Sequence, residues 1–397
     1  MTSVCPSCFN ALPDDTISYR CATPTCEPQP NQSASEYAGT SVMTRPTFTR
    51  MRSSSDEPLP QSVPCRGCRR PATQEVCPTC CYDLPAGWRQ ATVFTIAVTG
   101  ARGAGKSVYI AVALQQLMRY AQKRECTLRP YTQGTIDNYN KYYYHPLYQQ
   151  NMVVDGTPEV SSGGSYQKDP LIWQLSGQHI GTVFVVIRDV AGEDVERIAG
   201  NPKHFAYLSQ ADLLIFLFDP MQLDSIKQLL SGVIPDPDES RLGLPADQVL
   251  AKVLGQVGGG HTPLALTISK FDTLHQVTKV RSPLAQAFAN PGARLNQDDT
   301  MARQHLSPAD AAKDLERDLQ LLDAELSSIY QILGQDSVAV QATQAAESGQ
   351  VAATRRFAVS AIGETPQHAN QLTERGISPF RALDPILWGL SRKDIRL

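Results

Sequence analysis

Residues Gly100 to Ser107 read G-A-R-G-A-G-K-S and follow directly on the apolar run Val93 to Val98. Glycines at 100, 103 and 105 allow the tight turns in which successive backbone N–H groups converge on phosphate. A helix opening at this point, through Val108 and on to about Tyr120, adds its unpaired first-turn N–H groups. Lys106 is placed to reach the β- and γ-phosphates, and the Ser107 hydroxyl to hold Mg²⁺. The spacing predicts a site for a nucleoside triphosphate.

A second set of reactive residues lies nearer the N-terminus. Eight of the ten cysteines fall in the first eighty residues, in four pairs. They are Cys5 with Cys8, Cys21 with Cys26, Cys65 with Cys68, and Cys77 with Cys80. Paired thiolates at this separation clamp tetrahedral Zn²⁺, and four of them leave no open coordination position for catalysis. The expectation is one site within residues 1–26 and another within 63–90. Pairing of Cys5 and Cys8 with Cys77 and Cys80 is the alternative, and an iron–sulfur centre is the runner-up for the ligand. The strings C-P-S-C-F-N-A-L-P and C-P-T-C-C-Y-D-L-P echo each other. A unit this small cannot build a core alone, so metal would supply its folding free energy. Arg66, Arg69 and Arg70 form a short basic run, read as a solvated face.

The elements that must hold these groups divide the chain into four stretches. Residues 1–26 and 63–90 are zinc-ribbon-like modules. Residues 27–62, rich in Pro, Ser, Gln and Thr, read as a flexible linker. Residues 91–397 alternate strand and helix patterns, which predicts an α/β domain with a mostly parallel sheet. Strands are expected at 93–99, 171–175, 182–189, 212–219, 264–269 and 356–361. The second and third are joined too closely for a crossover and must form an antiparallel hairpin. Ser307, Pro308 and Asp310 open a long helix, with Leu315, Leu319, Leu322, Leu326, Ile329 and Leu333 along a core-facing stripe. Insertions interrupt the domain at 130–165, 231–245, 275–305 and 336–353.

Later strand ends bear on which nucleotide is bound. The strand V-F-V-V-I-R runs into D-V-A-G-E, which sets the Asp189 carboxylate near Mg²⁺ and the Gly192 N–H near the γ-phosphate. In T-I-S-K-F-D, Asp272 can accept from guanine N1–H and its 2-amino group, neither of which adenine offers. Lys270 would lay its methylene stem along the base. At Ser360 and Ala361 a backbone N–H can meet guanine O6. Four weak strings in this order, each at a strand's C-terminal edge, are specific together.

On G-A-R-G-A-G-K-S, D-V-A-G-E, S-K-F-D and S-A the chain resembles Ras-like P-loop GTPases over about residues 92 to 390. It is similar, more narrowly, to the bacterial double-GTPase family, and the closing S-P-F-R-A-L-D-P-I-L-W-G-L fits that likeness. The resemblance implies a GTP/GDP-switched regulator with protein partners, a second GTPase among them. It also implies Thr157 as the metal-binding switch threonine, with Thr132 and Thr135 as rivals. Three positions depart from the pattern. Ser269 stands where Asn is usual, Glu193 where a water-orienting Gln is usual, and Arg102 where Gly is usual. Catalysis would therefore rest on Lys106, Glu193 and Arg102. A non-hydrolysing GTP-binding adaptor and a P-loop ATPase are the competing readings.

Composition limits the partners. Apolar residues make up 42% and charged residues 19%, enough for a real core. A net charge of −3 gives no footprint for duplex DNA, so nucleic acid is not the expected partner. No apolar run reaches the ~18 residues that span a bilayer, and no signal pattern opens the chain, which predicts a cytoplasmic protein.

Overall fold

The computed structural model describes residues 3–54, 57–152, 169–190, 194–195, 202–234, 243–333, 336–364 and 376–397. Near the N-terminus, strand β1 (Thr16–Arg20) lies between β2 (Thr47–Met51) and β3 (Gln74–Val76), antiparallel to both. The stretch 27–62 therefore differs from the expected linker. It contains helix α1 (Gln32–Ala38), which Asn31 caps by accepting from Ala34 N at 2.9 Å, and it contributes β2. Phe48 of β2 packs beside Ile17, Tyr19 and Cys21, and Ser18 Oγ lies 2.8 Å from Thr49 Oγ1 across the ladder. A composition poor in large apolars misses such a strand because its stability comes from its neighbour's backbone and side chains.

The main sheet has seven strands: β4 (Thr92–Gly100), β5 (Cys126–Pro130), β6 (Leu171–Gly177), β7 (Gly181–Asp189), β8 (Leu213–Phe218), β9 (Leu264–Ile268) and β10 (Thr354–Ala358). Their order is β10-β9-β8-β4-β7-β6-β5. Only β6 runs against the others, as the short β6–β7 connection requires. Every residue of β8 and β9 is buried, the signature of central parallel strands covered on both faces. The edge strand β5 was not expected; its C-T-L-R-P is too short and mixed to stand out from the helix before it.

Helix α2 (Lys106–Lys123) follows β4 immediately and buries an almost unbroken apolar set from Val108 to Leu114. The long α3 (Pro308–Ile332) begins as expected, with Ser307 Oγ accepting from Asp310 N at 3.1 Å. Leu315, Leu319, Leu322, Leu326 and Ile329 are all buried, and the helix packs beside β10. Its inner face also carries Asp318, which receives Arg381 Nη1 at 2.9 Å and Arg303 Nη2 and Arg294 Nε each at 2.5 Å. Arg381 also donates to Asp384 at 2.6 Å, where helix α4 (Asp384–Arg392) starts. Burial works against ionising Asp318, yet Arg381, Arg303 and Arg294 outweigh it and hold the carboxyl at about 2. This charged knot fixes the C-terminal segment, which in turn bridges back to the main sheet. Phe380 N donates to Ser360 O at 2.8 Å, and Ser360 N to Phe380 O at 3.0 Å.

Candidate functional site

The end of β4 and the start of α2 bring the phosphate-loop residues together. Gly100 adopts φ 145°, and a Cβ there would stand 2.2 Å from the Leu217 carbonyl oxygen of the neighbouring strand. Gly105 adopts φ 78° at the helix N-cap, where it has no side chain to fill the first turn. The first-turn N–H groups of α2 thus face the loop. Lys106 is buried and donates to Gly100 O at 3.2 Å and Ala101 O at 3.1 Å, folded over the turn. Gly103 lies in the same loop, and Val108 is buried in the first turn of the helix.

Ser107 Oγ donates to Asp189 Oδ2 at 3.0 Å, so the acid at the end of β7 meets the first turn of α2. Both are buried. A hydroxyl and a carboxylate are hard oxygen donors. Octahedral ligands at about 2.1 Å from one cation sit about 3.0 Å apart, so this donor pair fits Mg²⁺. The same Asp189 oxygen also accepts from Tyr143 at 3.2 Å, a residue that no motif points to. Thr157, Gly192 and Glu193 lie outside the described residues. The rival threonines serve the backbone: Thr132 caps a helix through Thr135 N, and Thr135 Oγ1 accepts from Ile172 N.

On the far side of the loop, Lys270 sits at φ 48° and its Nζ donates to the buried Asp219 Oδ2 at 2.6 Å. Asp219 follows directly on β8, in a position open to sequence reasoning as an acid ending an apolar strand. A Cβ at Gly105 would lie 3.9 Å from Lys270 Cε, so the lysine stem passes over the phosphate loop. Ser360 Oγ donates to Asp272 Oδ1 at 2.5 Å and accepts from Gly363 N at 2.9 Å. Asp272 and Ser360 are thus coupled, with Ala361 next in the loop. The Ser269 hydroxyl donates to Phe218 O at 3.0 Å. Gln222 makes a link to the loop instead, its Nε2 donating to Arg102 O at 2.6 Å. The Arg102 side chain is exposed.

The cysteines form two four-thiol groups, Cys5, Cys8, Cys77, Cys80 and Cys21, Cys26, Cys65, Cys68, with all sulfurs of a group within 4.8 Å. Neither group is confined to one of the two expected modules; the pairs nest, outer with outer and inner with inner. The reason is geometric. Antiparallel pairing of β1 with β3 puts Cys77 level with Ile17, where Cys5 and Cys8 join it, while Cys21 lies four residues further on, about 13 Å away. Sulfurs of Cys5 and Cys80, and of Cys8 and Cys77, are 3.6 Å apart; Cys26 and Cys65 are at 3.7 Å. Zinc–sulfur bonds of about 2.3 Å place tetrahedral sulfurs about 3.8 Å apart, so both groups fit Zn²⁺. Three knuckles share one backbone pattern. Cys5, Cys65 and Cys77 N–H groups donate to Asn10, Arg70 and Tyr82 carbonyls, and Phe9, Arg69 and Cys81 take φ near 60°. That repeat explains Cys81, which is a turn residue here.

The outer cluster is joined to the main sheet beside Asp189. Arg188, the residue before it, donates to Ser7 O at 2.6 Å and Tyr37 Oη at 2.9 Å, and lies 3.9 Å above the Tyr207 ring. Burial pushes the Tyr207 phenol up to about 12, so it stays neutral under the guanidinium. Phe9 meets Tyr207 edge-on at 5.5 Å, and one apolar core runs from Cys5 and Trp88 into the sheet.

These features define a mixed α/β protein with a mostly parallel central sheet and two four-cysteine clusters near the N-terminus. Over 398 residues the chain is 34% identical to the Mycolicibacterium smegmatis (strain ATCC 700084 / mc(2)155) protein named "Putative ESX-1 scaffolding and assembly protein SaeC". The match covers 97% of this chain and 98% of that protein, and the chain belongs to its family. No protein-family profile matches the chain. Among solved structures, a septin GTPase domain from Chlamydomonas reinhardtii overlaps 51% of this chain and 62% of its own, with 14% identity and a TM-score of 0.24. A Thermus thermophilus protein overlaps 69% of this chain and 38% of its own, with 12% identity and a TM-score of 0.26. Overlaps this loose leave the functional reading to the residues themselves. Among the described residues no helix is long and apolar enough to cross a membrane.

Proposed function

We propose that the chain is a guanine-nucleotide-binding switch, with two structural zinc ions, that serves as a scaffold component in protein assembly. The observation that carries this reading is the convergence of Lys106, Ser107, Asp189, Lys270 and Asp272 on one edge of the sheet around a glycine turn. Lys106 and the first-turn N–H groups of α2 would bind the phosphates. Ser107 and Asp189 would hold Mg²⁺, which supplies positive charge at the phosphate oxygens. Asp272, oriented by Ser360, would accept from guanine N1–H and the 2-amino group, with the Lys270 stem against the ring. The relative's name, a scaffolding and assembly protein for ESX-1, supports protein partners for this chain. Likeness to the double-GTPase family adds a second GTPase to the candidates.

Calorimetry with GDP and ADP in Mg²⁺ tests the assignment. GDP is expected to bind about 100-fold or more tightly than ADP, because adenine offers Asp272 neither an N1–H nor a 2-amino donor. Lys106→Ala is expected to lose about tenfold or more in GDP affinity. Equal GDP and ADP affinities would remove the role of Asp272. Hydrolysis is a separate matter, resting on Arg102 and Glu193. Single-turnover phosphate release from bound GTP distinguishes a GTPase from an adaptor that only binds. The exposed Arg102 at a loop position usually held by Gly, together with the scaffolding name of the relative, favours the adaptor as the second reading.

A further inference from the structure

Tyr143 stands apart from every motif yet touches the centre of the candidate site. It belongs to the π-helical segment Asn140–Gln149, which follows the helix Gln133–Tyr139. The side chain is 3% exposed, and its ring stacks on Tyr139 at 6.0 Å with planes 14° apart. Tyr139 is itself tied to α2: its hydroxyl donates to Ala111 O at 3.2 Å, and its ring meets Trp173 edge-on at 5.0 Å. The tyrosines thus form a braced column standing on α2 and β6. At its tip, the Tyr143 hydroxyl donates to the Asp189 oxygen that also accepts from Ser107.

From this we propose that Tyr143 competes with the divalent cation for Asp189 and so couples metal loading to the tyrosine-rich segment 140–149. The inference rests on the nucleotide-site reading above. One carboxylate oxygen here accepts two O–H donors. A cation bound to that oxygen takes up lone-pair density and repels the donor protons. Ser107 can turn a lone pair to the cation and remain as a ligand. Tyr143 loses its acceptor once the cation takes that oxygen. Magnesium keeps several of its waters, which add to the crowding at this carboxylate. Loading the site with Mg²⁺ and nucleotide therefore withdraws the bond that ties residues 140–149 to the sheet end. That puts the responsive element within the insertion at 130–165.

The test is the Mg²⁺ dependence of release of a fluorescent GDP analogue, measured on the full chain with both zinc ions retained. Tyr143→Phe keeps the ring and its stacking while deleting the donor. The Mg²⁺ concentration giving half-maximal retention is expected to fall about tenfold, the scale of one hydrogen bond to a charged group. Wild-type protein should show a tyrosine ultraviolet difference signal when Mg²⁺ is added to its GDP complex, and the variant should lose it. An unchanged or higher Mg²⁺ requirement in the variant overturns the competition and leaves the site reading intact. A wild-type protein that binds no GDP, or releases it independently of Mg²⁺, overturns the site reading itself. Should the variant fold poorly, absence of the tyrosine signal in wild-type protein still refutes the proposal.

Discussion

Gly100 shows how far a single residue can constrain this fold. Its φ of 145° and the 2.2 Å that would separate an added Cβ from Leu217 O come from the close approach of β4 to β8. Gly100→Ala must therefore displace backbone rather than a flexible side chain. The expected loss is about 2–4 kcal/mol in urea denaturation; a variant as stable as the wild type would show that the strand end relaxes freely. Sequence alone marked this glycine through its motif. It did not mark Tyr143 or Gln222, whose contacts to Asp189 and Arg102 depend on segments far away in the chain.

At the scale of elements, the zinc unit is the clearest test of nesting. If Cys8 and Cys77 serve one ion, Cys8→Ser and Cys77→Ser each lower the zinc content from two per chain to about one, and the double variant also holds about one. Cys8→Ser combined with Cys65→Ser should hold none. Native mass spectrometry reads these numbers directly, and a double variant Cys8→Ser, Cys77→Ser without zinc would contradict the observed grouping. The spacing within each pair was legible because a metal knuckle is a local turn. Which pairs meet was not, because the β1–β3 ladder decides it.

Across the whole molecule, buried Arg188 and Arg381 link parts of the chain that lie far apart in sequence. Arg188 anchors the outer zinc cluster to the sheet, so the cysteine unit is a fixed part of the body near the candidate site. Arg381 ties the C-terminal segment to α3 through Asp318. Asp318→Asn removes the carboxylate that three guanidiniums share and leaves Arg381 to Asp384, Arg303 to Asp314 and Arg294 to Asp299, and a loss of about 2–3 kcal/mol is expected in thermal or chemical unfolding. The folded Asp318 carboxyl lies near 2, below its unfolded value of about 3.9. Its contribution is therefore complete above about pH 4 and lost as pH falls toward 2. Asp384, pushed up by burial, acts in the opposite sense. Acid unfolding should be shallower in Asp318→Asn than in the wild type; identical pH profiles would count against the knot as a source of acid sensitivity.

The glycine turn between β4 and α2, the strand ends and the cysteine pairs could be read from the chain because each is a short-range pattern set by local backbone needs. The mostly parallel sheet and its one reversed hairpin could be read too, since connection length limits strand direction. Tertiary structure alone decided that the cysteine pairs nest, that residues 27–62 supply a strand, that Arg188, beside Asp189, holds the Cys5–Cys8 knuckle, and that a tyrosine reaches that same aspartate. All four depend on partners distant in sequence, and such contacts arise from packing, which leaves no spacing rule behind.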